Sequence, residues 1–165
     1  MSKPTHSAAE AFIERLGLSA EADGLPRIAG RMWGFFIIHG GPCSFTELAE
    51  RLQVSRGSIS TNARILRDLG IIERVSRPGD RQDYYQLANN PYHRLMEGYI
   101  QRMRGTLRSV EEAIDQLPEG WTDAKQRLQN MHEFHAAAIE VSVQLIQDLQ
   151  AKAGDWKNVK TQTGQ

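Results

Sequence analysis

Between Ser44 and Leu87 the chain changes character twice, and few folds accommodate that change. Phe45-Thr-Glu-Leu-Ala-Glu-Arg-Leu52 follows Ser44, and Ser44 and Glu47 have the spacing of a capping box. Its core positions are Leu48, Ala49 and Leu52. Gln53-Val54 makes a short turn, and Ser55 then caps a second helix that runs to Gly70, a residue suited to a helix C-terminus. Two short strands follow, Ile71 to Arg77 and Asp83 to Leu87, both rich in β-branched or aromatic residues. Pro78-Gly79-Asp80 between them is a turn signal. Upstream, Leu25-Pro26 opens another helix, with proline well placed in the first turn. From Met32 to Ile38 that helix is apolar nearly all round, which predicts a central, buried element ended by His39-Gly40-Gly41-Pro42. Gly30 and Gly34, four apart, would let another backbone approach closely. Three helices followed by a strand pair, over 25–89, is the order of a winged helix-turn-helix.

The flanks are helical. Ser7 to Leu18 reads as a short helix with an apolar stripe at Phe12, Ile13 and Leu16, followed by a linker from Gly17 to Gly24. Asn90-Pro91 opens a long helix in which Met96, Ile100, Met103, Leu107, Val110, Ile114 and Leu117 alternate steps of four and three. Pro118-Glu119-Gly120 breaks it, and a last helix is expected from Thr122 to Ala153. Leu128, Met131, His135, Ala138, Ser142, Leu145 and Leu149 would form its seam with the preceding helix. Phe134, Ile139, Val141, Val143 and Ile146 lie off that seam. A helix apolar on more than one face needs a second partner, and a second copy of the chain is the natural one. Phe12, Ile139, Val143 and Ile146 are the residues expected to be covered by it. The fold class is therefore mainly α with a small β-wing. Segment 1–24 serves dimerisation, 25–89 is the winged module, 90–153 is a long helical pair for dimerisation and an effector, and 154–165 is a tail.

Zero net charge over 165 residues hides an uneven distribution. Residues 51–108 hold 11 basic and 5 acidic side chains, all 11 of the basic ones arginine, while both flanking segments are net acidic. Arginine's planar, multi-donor fork suits phosphate and base edges better than the lysine ammonium does. No apolar run is long enough to span a bilayer, and Phe12-Ile13 is followed at once by Glu14-Arg15, unlike a signal peptide. The single cysteine, Cys43, cannot form a disulfide within the chain, which fits a reducing cytoplasm. The expected location is therefore cytoplasmic, with no membrane contact.

The helix after Ser55 carries the functional signal. On a helical wheel Ile59, Ala63 and Leu66 cluster on one side, and Gly57, Ser60, Thr61 and Arg64 lie opposite. The first turn adds Ser55, Arg56 and Ser58. This face has neither lysine nor glutamate, and Asp68 sits a full turn beyond Arg64. Small and hydrogen-bonding side chains of this kind can enter a major groove about 12 Å wide. The loop Ser76-Arg-Pro-Gly-Asp-Arg-Gln82 places Arg77 and Arg81 at a tight tip, suited to the negative potential of a narrow minor groove, with Asp80 placed to orient either guanidinium.

These residues carry a resemblance. MWGFF at Met32 to Phe36, FTELAERL at Phe45 to Leu52, VSRGSIST at Val54 to Thr61, LRDLGIIERV at Leu66 to Val75 and GDRQDYY at Gly79 to Tyr85 are similar to the GbsR-type branch of the MarR family of bacterial transcriptional regulators. The resemblance implies a homodimer joined through its terminal helices, with operator binding through Ser55 to Arg64 and the wing around Arg77 and Arg81. It also implies a likeness to regulators of glycine betaine, choline and ectoine genes. The expectation is a repressor that reads a pseudo-palindromic operator in double-stranded DNA. The rival is a winged-helix adaptor that binds protein without specific DNA recognition.

Other chemistry finds little support. There is no phosphate-binding loop ending in Lys-Ser/Thr, and no recognisable nucleophile triad, so no enzyme, metal or cofactor is expected. His132 and His135 share a helix face, but two ligands are too few for a metal site. A quaternary ammonium effector such as an osmolyte would need aromatic rings within about 6 Å of its cation. Trp33, Phe36, Tyr92, Tyr99 and Trp121 are the candidates.

Overall fold

The computed structural model describes residues 3–76, 78–80 and 82–162. Nine elements follow in order: α1 (Lys3–Ala22), α2 (Arg27–His39), β1 (Cys43–Ser44), α3 (Phe45–Leu52), α4 (Arg56–Asp68), β2 (Ile72–Val75), β3 (Tyr84–Leu87), α5 (Pro91–Gln116) and α6 (Thr122–Gln162). They form two units, Met1–Arg94 and Leu95–Gln165.

In the first unit the local signals act as expected around α3 and α4. Ser44 caps α3 reciprocally: the Glu47 N–H donates to the Ser44 hydroxyl at 3.3 Å, and the Ser44 N–H donates to the Glu47 carboxylate at 2.7 Å. Each bond satisfies a donor that the first helical turn leaves without a partner. Gln53 adopts a left-handed conformation that turns the chain from α3 toward α4. Met32, Phe36, Leu48, Ile59, Leu66, Ile71 and Ile72 are fully buried, so α2, α3, α4 and β2 share one core. The antiparallel sheet has the order β1-β3-β2, with Cys43 opposite Tyr85 and Val75 opposite Tyr84.

Several boundaries differ from the sequence reading: α1 starts at Lys3 and not at Ser7, and both wing strands are shorter than expected. The linker expected from Gly17 is helical, and α1 continues to Ala22. Gly17 is a packing residue: a Cβ there would lie 2.6 Å from Arg31 Cγ on α2. The turn comes later, where Gly24 takes a positive φ of 83°. The two-residue strand β1 was not anticipated, since two residues show no period. The last helix also runs past Gly154 to Gln162, where a tail was expected.

α1 lies along α2 at close range. A Cβ on Gly30 would sit 2.5 Å from Ala20 Cβ, 2.7 Å from the Leu16 carbonyl oxygen and 2.9 Å from Gly17 Cα. At the edge of this contact Glu14 accepts hydrogen bonds from Arg31 Nε at 2.6 Å and Arg27 Nη2 at 3.1 Å. Partial burial pushes the Glu14 carboxyl up, but the two guanidinium groups outweigh it and hold the group below its ordinary value.

In the second unit Ile100, Met103 and Val110 of α5 are buried, as the heptad stripe predicts. His132 of α6 reaches Glu111 of α5 at 3.0 Å. His132, Ile139, Ser142, Val143 and Ile146 lie on the less exposed side of α6. Met131, Phe134, Val141, Leu145 and Leu149 form an adjacent stripe that is 41% to 69% exposed.

The Gly30 contact generates a stability prediction. Alanine in place of a helical glycine gains about 1 kcal/mol of propensity. At Gly30 the new methyl meets a backbone oxygen and a Cα, which can move only if the helices part. Overpacking of this kind costs about 1–3 kcal/mol, so Gly30→Ala should lower the denaturant midpoint in equilibrium unfolding despite its better propensity.

Candidate nucleic-acid interface

Ser55 has extended backbone angles and accepts a hydrogen bond from the Ser58 N–H at 3.1 Å, which starts α4 cleanly. Ile59, Ala63 and Leu66 are buried, and α4 packs on α2 and α3. That packing settles which face remains outside. Ser55, Arg56, Gly57, Thr61 and Arg64 are exposed, while Ser58 and Ser60 are half-buried. Thr61 donates its hydroxyl hydrogen to the Gly57 carbonyl oxygen at 3.1 Å. A base contact through that hydrogen would have to replace this bond. Asn62, absent from the wheel argument, is buried beside the seam and donates to the Ser58 carbonyl oxygen at 2.8 Å.

The arginines divide by partner. In the first unit Arg27 and Arg31 are held by Glu14, Arg67 by Asp68, Arg74 by Asp83 and Arg94 by Glu73. Arg15 bonds the Ala11 carbonyl oxygen, and Arg51 lies over the Phe35 ring at 5.9 Å. Arg56 and Arg64 have no such partner among the described residues. Two guanidinium groups with free donors thus stand on the one face of α4 that packing leaves open. A helix face of this width and charge can enter a major groove and offer forked donors to phosphates or guanine edges.

The strand pair is tied to the helices at its root. Phe45 at the start of α3 stacks on Tyr85 of β3, with centroids 4.7 Å apart and planes 10° from parallel. The Leu87 N–H donates to the Gly40 carbonyl oxygen, and the Ala88 N–H to that of Ile71, both at 2.9 Å. Farther out, Arg74 and Asp83 pair across the hairpin at 2.5 Å. At the turn Gly79 has a φ of 83°. Asp80 accepts the Gln82 N–H at 2.8 Å and the Tyr84 hydroxyl at 2.7 Å. Arg77 and Arg81, the expected wing contacts, lie outside the described residues, and so does the orientation of either by Asp80.

The other candidates fall as follows. Phe36 is wholly buried, edge-on to Phe35, and presents no ring face to a ligand. Trp33 is half-buried, with an indole N–H that has no acceptor among the described residues. Tyr92, Tyr99 and Trp121 are exposed. Phe12, Ile139, Val143 and Ile146 are each half-buried. His132 and His135 are engaged by Glu111 and by the Met131 carbonyl oxygen. No group of three or more metal-ligating side chains forms among the described residues, and none of their helices is long and apolar enough to cross a membrane.

A family model described as "MarR family" matches residues 23–83. The chain is 32% identical over 126 residues to the HTH-type transcriptional regulator MmpR5 of Mycobacterium tuberculosis (strain ATCC 25618 / H37Rv), covering 76% of each chain. It belongs to the MarR family. The HTH-type transcriptional repressor OpcR of Bacillus subtilis (strain 168) is 29% identical over 85 residues, 52% of this chain and 46% of OpcR. A crystal structure of a transcriptional regulator superposes with a TM-score of 0.79 at 29% identity, covering 87% of this chain and 99% of the other. The matched region takes in α2, the helix-turn-helix and the hairpin turn. The chain is thus a MarR-family winged-helix, DNA-binding transcriptional regulator.

The exposure of Arg64 makes its contribution separable from folding. Arg64→Ala should leave the melting temperature unchanged and cost about 1–3 kcal/mol of operator binding, with relaxed preference at one base-pair position in site selection. Unchanged selectivity would remove Arg64 from the reading face.

Proposed function

We propose that this MarR-family regulator is a homodimeric, sequence-specific repressor whose α4 helices read a pseudo-palindromic operator. The observation that carries the reading is the pair Arg56 and Arg64, unpartnered on an exposed face whose other members are Ser55, Gly57 and Thr61. Two such helices about 34 Å apart would meet successive major grooves on one side of B-DNA. Contacts to phosphates would position the dimer, and Arg56, Ser60, Thr61 and Arg64 would select bases. Repression is in keeping with OpcR, a relative named as a repressor.

The dimer reading rests on α6. Met131, Phe134, Val141, Leu145 and Leu149 recur at helical spacing over about 27 Å of the helix. Burial of such side chains is worth up to about 1.5–3 kcal/mol each, and a second copy supplies it symmetrically. This reading favours, for the α6 interface, a stripe adjacent to Ile139, Val143 and Ile146, which are already half-buried in the single chain. Phe12 of α1, in the first unit, remains a candidate for contact with the second copy.

The motifs shared with the GbsR-type branch favour osmoprotectant genes as targets, with choline, glycine betaine or ectoine as effector. Trp33 and Tyr92 in the first unit, and Tyr99 and Trp121 in the second, remain the candidate rings, Phe36 being enclosed. An effector releases DNA only by binding one spacing of the two α4 helices better than the other.

Val141→Glu combined with Leu145→Glu tests the assembly. Sedimentation should show a monomer, and binding to a duplex that the wild type selects from sheared genomic DNA should be lost with the dimer. A variant that stays dimeric and binds as the wild type does would contradict this placement of the interface.

A further inference from the structure

The wing turn holds a carboxylate where a DNA-binding surface should avoid one. Asp80 is exposed at the tip, beside the region expected to meet phosphates, and nearby anions repel. Both of its oxygens are nonetheless committed. One accepts the Gln82 backbone N–H at 2.8 Å, a bond to the residue two positions on that defines the turn. The other accepts the phenolic hydroxyl of Tyr84 at 2.7 Å. Tyr84 is itself buried and fixed in β3, opposite both Val75 and Ser44. A buried strand residue therefore reaches four positions back and clamps Asp80 in the turn of the hairpin. Charge-assisted hydrogen bonds of this length are among the stronger ones. Gly79, with its positive φ, gives the turn no stiffness of its own.

We propose that Tyr84 and Asp80 are a coupled pair of positioning residues that pre-sets the wing for DNA, so that an acidic side chain strengthens binding to an anion. The proposal rests on the DNA-binding reading above and assigns a role to two residues outside its contact set. Fixing the turn before contact removes the ordering cost that a loose tip would incur on binding. Neither residue needs to touch DNA.

Electrostatics alone and positioning predict opposite signs, which makes the test sharp. The full-length chain, Tyr84→Phe, Asp80→Ala and the double variant would be compared by fluorescence anisotropy on one duplex, selected by the wild type from sheared genomic DNA. Positioning predicts binding weaker by about tenfold, or about 1.4 kcal/mol, for each single variant, with the double variant no weaker than Asp80→Ala. Tyr84→Phe keeps the ring in place, and Asp80→Ala alters an exposed residue, so the second variant decides the matter even if the first is less stable. Asp80→Ala binding as tightly as the wild type, or tighter, would overturn the proposal. Additive losses near hundredfold would also overturn it, because the two residues would then act separately. A wild type that selects no DNA would remove the DNA-binding reading and this proposal together, whereas a wild type that binds beside unaffected variants removes this proposal alone.

Discussion

The burial of Ile59, Ala63 and Leu66 against α2 and α3 is the contact on which the rest depends. A helix of 3.6 residues per turn that hides one side must present the other. Here the other side carries Gly57, Thr61 and Arg64, with Ser55 and Arg56 at the first turn. On this reading function follows by subtraction: core packing chooses the orientation of α4, and no carboxylate among the described residues pairs with Arg56 or Arg64. Acidic side chains do occur close by, but Glu14, Asp68, Glu73 and Asp83 are spent on other arginines.

Two supports keep that orientation. On one side α1 presses against α2 at Gly17, Gly30 and Gly34, and at Gly30 a Cβ would meet backbone atoms of α1 at less than 3 Å. On the other, the hairpin is pinned to the start of α3 by the Phe45–Tyr85 stack and to the end of α2 by the Leu87–Gly40 bond. The wing root therefore moves with the helix-turn-helix, and its tip is shaped locally by Asp80 and Tyr84.

Sequence reasoning reached as far as local signals extend. The Ser44 and Ser55 caps, the α4 seam and the α5 heptad stripe are written within one or two turns of chain, and the structure has them where the spacing put them. Gly17 was misread because a glycine that breaks a helix and one that admits a neighbouring helix look alike until the neighbour is in place. On α6 apolar residues cover several faces, so only its partners decide which face is covered. The expected seam put Met131, Leu145 and Leu149 against α5, yet they are exposed together with Phe134 and Val141, while Ile139, Val143 and Ile146, expected to await a second copy, are half-buried. Pairings that span longer separations, such as Glu14 with Arg27 and Arg31, leave no periodic trace. Phe36 illustrates the same limit: an aromatic ring in a sequence does not reveal whether it lines a cavity or fills a core.

The central claim is that free arginine donors on a small, polar helix face make this MarR-family chain a DNA reader. The salt dependence of binding to a selected genomic duplex measures that claim most directly, because each neutralised phosphate releases counterions. Contact with about 6 to 10 phosphates should make affinity fall roughly 10³- to 10⁵-fold between about 50 and 200 mM salt. An affinity that stays flat over that range would contradict the account.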